Sequence, residues 1–127
     1  MKFIKEITSR GLLLPMIAAR LAKFKAGDRV EYRPLDNVIV VLKKRMTAPE
    51  LLTAVEQLQS VATELLLHLD RVCGPCEECA DGCLCGESED SPLQHLPTDL
   101  LFTFAEAGTC LGELEEHLIT EDIVYGK

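Results

Sequence analysis

The sequence predicts an α+β protein in four parts: a small strand-and-helix module, a long amphipathic helix, a cysteine-rich loop and a short helix-and-strand tail. Three observations predict it. Two apolar strand-like runs flank Pro34-Leu35-Asp36-Asn37, a segment with the residues of a hairpin turn. A capping signature opens an apolar heptad over residues 47–72, and Gly74-Pro75 then stops it. Five cysteines fall within thirteen residues in an acidic stretch dotted with Gly and Pro. The expected divisions are therefore 1–46, 47–72, 73–92 and 93–127.

Within residues 1–46, residues 3–8 read as a strand and Pro15 opens a short helix to about Lys23. Gly27-Asp28 turns the chain into a hairpin of residues 29–33 and 38–42. Thr47-Ala48-Pro49-Glu50 is a capping box with Pro in the first turn. Leu51, Val55, Leu58, Ala62, Leu65, Leu69 and Val72 follow at spacings of 4, 3, 4, 3, 4, 3, the seam of a helix that pairs with another helix. Leu52, Val61, Leu66 and Leu67 widen that stripe, so packing in a bundle, or against the helix's own domain, is open beside a two-stranded pairing. In the tail, Pro97-Thr98-Asp99 starts a helix to Ala107 with Gly108 as its cap, and residues 123–125 read as a strand. The tail faintly echoes residues 14–42, with Leu96-Pro97 matching Leu14-Pro15 and Gly112-Glu113 matching Gly27-Asp28.

Composition narrows the function. The 127 residues are 47% hydrophobic and 27% charged, values of a folded globular chain. Aromatics are only 5%, with no Trp, which argues against reading nucleic acid by base stacking. The net charge of −8 conceals a division. Residues 1–45 hold eleven Lys/Arg against four Asp/Glu, and residues 46–127 hold two against seventeen. An anionic partner is expected for the first part, and self-association or a non-nucleic role for the second. A helix of some twenty-four residues within 47–72 would hold the acidic part roughly 36 Å away, several screening lengths at physiological salt. No window approaches the roughly eighteen apolar residues of a membrane span, so no membrane partner is expected. The opening apolar run is interrupted by Pro15 and followed at once by Arg20, Lys23 and Lys25, unlike a secretory leader; cytoplasmic residence with reduced cysteines is expected.

The stretch from Thr8-Ser9-Arg10-Gly11 through Leu14-Pro15, Arg20-Leu21-Ala22-Lys23, Gly27-Asp28-Arg29-Val30 and Val38-Ile39-Val40 resembles the AbrB/MazE/SpoVT family over about residues 3–45. The shared pattern is a Gly, a short apolar strand, a Pro, a short helix, a Gly-Asp turn twelve residues after the Pro, and a final hairpin. The resemblance implies a swapped-hairpin β-barrel homodimer that binds double-stranded DNA through basic residues on one face. It implies a transcriptional regulator or, alternatively, the antitoxin of a toxin–antitoxin pair whose acidic half grips a partner protein. Lys5 and Arg20 fall on basic positions of the family's pattern. Ala19 and Leu12 stand where that pattern has further basic residues, and Arg10 can serve in place of Leu12. The chain's own charge adds Lys23, so Lys5, Arg10, Arg20 and Lys23 are the expected DNA contacts. Lys2, Lys43, Lys44 and Arg45 are read as solvated.

Cys73, Cys76, Cys79, Cys83 and Cys85 are spaced C-x2-C-x2-C-x3-C-x-C. Gaps this short let thiolates converge on one tetrahedral ion, so zinc is expected ahead of an iron–sulfur cluster, with thiol–disulfide switching or inert cysteines as the other readings. The fourth cysteine lacks the proline that follows it in ferredoxin runs, and there is no second set. Glu77, Glu78, Asp81, Glu87, Glu89 and Asp90 crowd the thiols, and a divalent cation would relieve that repulsion. His68 and His95 are alternative ligands but read more simply as surface and loop histidines. Cys73-Gly74-Pro75-Cys76 copies the thioredoxin tetrapeptide, yet its first Cys follows a helix C-terminus, where the dipole disfavours a thiolate. Cys110 reads as a small buried hydrophobe. No enzymatic motif is found, and no enzyme is expected.

Overall fold

The computed structural model describes residues 2–76 and 90–126. The chain divides into two compact units, Met1–Thr53 and Ala54–Lys127. Helix and a two-stranded antiparallel sheet are both present, in the order α1 (Met16–Leu21), β1 (Val30–Leu35), β2 (Val38–Lys43), α2 (Ala48–Cys73), a 3₁₀ turn (Pro92–His95), α3 (Thr98–Glu106) and α4 (Leu111–Thr120).

In the first unit the hairpin pairs Val30 with Lys43 and Leu35 with Val38, so only Asp36 and Asn37 make the turn. Asn37 takes φ +63°, a left-handed conformation that Asn tolerates. Pro34 and Leu35, expected in the turn, lie inside β1. A proline fits there because each strand of a two-stranded sheet keeps one edge unpaired. Helix α1 begins directly after Pro15 and ends with Lys23 at φ +62°. The N–H of Lys23 donates to Arg20 at 2.9 Å and that of Phe24 to Ala19 at 2.8 Å, the paired bonds of a Schellman ending. Residues 3–7 do not form the expected strand, and Thr8 only bridges Gly11 across a tight turn. A strand needs a neighbour for its ladder, and none of the described strands pairs with this segment.

No described residue of the first unit is buried. Ile4 is fully exposed, and Leu13, Met16, Ile17, Leu35 and Ile39 all stand open to solvent. Val38-Ile39-Val40-Val41-Leu42 is apolar on both faces, a composition suited to a strand covered on both sides.

The second unit has its own core of Cys73, Leu93, Phe104 and Leu114, with Leu66, Leu69, Leu96, Leu100, Leu101 and Leu111 packed around it. Leu93 and Leu114 are 2% and 1% exposed. From α2, this core takes Leu66, Leu69 and Cys73, one stripe at helical spacing. Of the expected heptad seam it uses only Leu69, and Leu51, Val55, Leu58 and Leu65 stay exposed.

Helix α3 ends as expected at Gly108, whose φ of +77° favours glycine; Gly108 N–H donates to Ala105 and Thr109 N–H to Phe104. Two expectations for the tail are corrected. Gly112-Glu113 is no turn but lies in the first turn of α4, because Leu111, Leu114 and Leu118 repeat at helical spacing and Leu114 reaches the core. Residues 123–125 form no strand. Instead the Val124 carbonyl accepts a bond from His68 Nε2, and the Tyr125 ring meets the His68 ring edge-on at 5.1 Å.

Candidate nucleic-acid interface and cysteine site

Lys5, Arg10, Arg20 and Lys23 are all solvent-exposed. Arg10 sits in the turn closed by the Gly11 N–H to Thr8 carbonyl bond at 2.9 Å, and its own N–H donates to Thr8 Oγ1 at 3.3 Å. Arg20 occupies the last turn of α1, where a cation also suits the helix dipole. Lys23 holds the left-handed position just beyond that helix. Lys5 lies in the irregular segment before the Thr8–Gly11 turn, so the four sit on three separate local segments.

A different set of cations is gathered by the hairpin register. Because Val30 pairs with Lys43, Arg29 lies beside Lys44, and the Lys44 N–H donates to the Arg29 carbonyl at 3.0 Å. Around this base opens a cleft of about 610 Å³ lined by Gly27, Asp28, Arg29, Lys43, Lys44, Arg45 and Glu50. Its two carboxylates are engaged. Asp28 Oδ2 accepts the Lys25 N–H at 2.8 Å. Glu50 closes the capping box with Thr47, accepting the Thr47 N–H at 3.2 Å, while its own N–H donates to Thr47 Oγ1 at 3.3 Å. Glu50 also lies 3.7 Å from Lys43 Nζ. The hydrogen bonds from Thr47 lower the Glu50 pKa, which favours the charged carboxylate. In the sequence Lys43, Lys44 and Arg45 read as solvated cations, although counting back from the Asp36-Asn37 turn brings Lys44 level with Arg29.

The second unit holds the cysteines. Cys79, Cys83 and Cys85 lie outside the described residues, and Cys73, Cys76 and Cys110 are free thiols. Residues 74–76 run antiparallel to 108–110: Pro75 bridges Thr109, the Cys76 N–H donates to Gly108 at 3.0 Å and the Cys110 N–H to Gly74 at 2.9 Å. Thr109 Oγ1 donates to Asp70. The half-buried Cys110, at the N-cap of α4, thus lies near Cys73. Burial raises the Cys73 pKa, and the charges of Cys110, Glu113 and Asp70 raise it further. Such a thiol is the reverse of an activated redox nucleophile.

Among the described residues, no group of three or more His, Cys, Asp or Glu side chains is arranged to hold a metal. His68 spends a ring nitrogen on Val124, and His95 is exposed at the end of the 3₁₀ turn. Cys110, the thiol that sequence reasoning set aside, joins the neighbourhood of Cys73 through a backbone pairing with no local signature. Among the described residues, no helix is long and apolar enough to cross a membrane. No family model, no curated protein and no solved structure matches this chain.

Proposed function

We propose that this chain is a cytoplasmic, homodimeric DNA-binding transcriptional regulator of the AbrB-like type, whose C-terminal half multimerises and carries a metal or redox input. The observation that carries the reading is the first unit's combination of eleven basic against four acidic residues in 1–45 with an apolar set that the single chain leaves uncovered. The excess cations supply phosphate neutralisation with counterion release, the main source of DNA affinity. The uncovered set calls for a second copy, since a module this small buries too little surface alone. In the swapped-hairpin barrel of this proposal, residues 3–8 find in the partner the strand that they lack in one chain. Lys5, Arg10, Arg20 and Lys23 contact the DNA.

The second unit's own core of Cys73, Leu93, Phe104 and Leu114 favours a regulator over an antitoxin whose acidic half folds on a toxin. In the cysteine region, zinc, ahead of an iron–sulfur cluster, would be held by thiolates drawn from Cys73, Cys76, Cys79, Cys83 and Cys85. A bound cation would oppose the burial and neighbouring charges that raise the Cys73 pKa.

The test is fluorescence anisotropy with a pool of genomic duplex fragments at about 50 mM salt and upward. Binding that weakens steeply with salt, and that Arg20→Ala weakens at every ionic strength, is expected. Absence of binding to any duplex, or an Arg20→Ala variant that binds as the parent does, overturns the reading.

A further inference from the structure

We propose that the cleft at the base of the hairpin, lined by Arg29, Lys43, Lys44 and Arg45, is a phosphate-binding site separate from Lys5, Arg10, Arg20 and Lys23. Four cations face two carboxylates around a volume of about 610 Å³. The acids do not cancel the cations evenly. Asp28 is tied to the Lys25 N–H, and Glu50 is tied to the cap of α2 and draws Lys43. Among the described residues, no ion pair engages Arg29, Lys44 or Arg45. Two planar guanidinium forks and one ammonium are therefore left to line a concave surface.

That donor set fits the tetrahedral oxygens of a phosphate group, because guanidinium binds phosphate oxygens in pairs and an ammonium adds a point charge from another direction. The cleft also opens beside the start of α2, whose 26 residues align their peptide dipoles with the positive end toward Glu50. Placement is fixed by backbone geometry. The register that pairs Val30 with Lys43, and the Lys44 N–H bond to Arg29, set Arg29 and Lys44 side by side at the base of the cleft.

A phosphate could come from the backbone of duplex DNA or from a free phosphorylated compound, and the chemistry of the cleft is common to both. The DNA source rests on the function proposed above, whereas the site itself does not. The experiment uses the full-length protein and two probes, inorganic tripolyphosphate and a short DNA duplex. Tripolyphosphate is titrated by calorimetry, with amide shifts recorded in parallel by NMR. Binding is expected to shift the amides of Gly27, Arg29, Lys44 and Arg45. It should weaken at least fivefold in an Arg29→Gln/Lys44→Gln/Arg45→Gln variant and persist in the charge-matched Lys25→Gln/Arg33→Gln/Arg71→Gln variant.

If the triple cleft variant does not fold, Lys44→Gln alone serves, with a loss of at least twofold expected. Tripolyphosphate affinity unchanged by the cleft substitutions, or amide shifts confined to residues outside 27–29 and 43–50, overturns the proposal. A cleft variant that also loses duplex affinity assigns the phosphate to DNA, and one that loses only tripolyphosphate assigns it to a free phosphorylated compound. Tripolyphosphate bound in the cleft by a protein that binds no duplex would sink the DNA-binding reading and leave the site standing.

Discussion

The main-chain N–H of Cys110 donates to the carbonyl of Gly74 at 2.9 Å, and this bond ties the residue before α4 to the residue after α2. It brings a thiol from the tail beside Cys73, although Cys110 stands 25 residues beyond Cys85 in the sequence.

Cys73 sets a pH limit on stability in the alkaline range. Burial raises its pKa, so the unfolded thiol loses its proton first as pH rises past about 8.5, and from there the native state is progressively disfavoured. Below that value the contribution is fully present. Urea midpoints measured in reductant and chelator at pH 7 and pH 10 should fall for the parent and fall less for Cys73→Ala. Equal drops in the two proteins would remove Cys73 as the cause.

The core of the second unit and the exposed seam of α2 should behave differently. Leu114→Ala, in the core that Leu66 and Leu69 join, is expected to cost about 2–5 kcal/mol in urea unfolding. Leu58→Glu changes an exposed seam position and should leave the urea midpoint of dilute protein close to that of the parent. In sedimentation at rising concentration, Leu58→Glu should shift mass toward smaller species. An unchanged mass distribution would show that the seam joins no subunits.

The start of α2 should carry an acid-side dependence. Glu50 has its pKa lowered by Thr47, so its contribution is present above the ordinary carboxylate range and is lost as pH falls through the lowered value. Thr47→Ala removes the cap at a cost of about 1 kcal/mol at neutral pH. In unfolding curves from pH 7 to pH 3, the gap between parent and variant should narrow toward the acid end. A gap of constant size would show that the carboxylate does not act through the cap.

Metal content is the direct check on the cysteine cluster. Protein purified without oxygen should carry about one zinc per chain by elemental analysis. Chelation should raise hydrogen exchange in residues 93–126 while leaving β1 and β2 protected. Metal below about a tenth of an equivalent, with exchange unchanged, would point to a thiol switch or to inert cysteines.

Local chemistry explains what could be read from the sequence. Thr47 and Glu50 lie three residues apart, and the start of α2 follows from that spacing; Gly108 ends α3 for reasons contained in one turn. The hairpin was legible apart from Pro34 and Leu35, since a proline signals a turn and an unpaired strand edge equally well. Residues 3–8 have the composition of a strand yet form none in one chain, because strand formation depends on a neighbour that local residues cannot specify. Helix α4 was missed because Gly112-Glu113 imitated the earlier Gly27-Asp28 turn and outweighed the spacing of Leu111, Leu114 and Leu118. Cys110 was invisible as a site residue because its link to Cys73 runs through a bridge between distant segments.

Lys23 occupies a backbone position where glycine would be easier to hold. A screen for heat tolerance would therefore favour Lys23→Gly early, for a gain of about 0.5–1 kcal/mol. The same exchange strips a cation from the basic module. Selection for robustness and selection for charge pull this one codon in opposite directions, so hardened versions of the protein should be assayed for lost ligand grip before their melting points are compared.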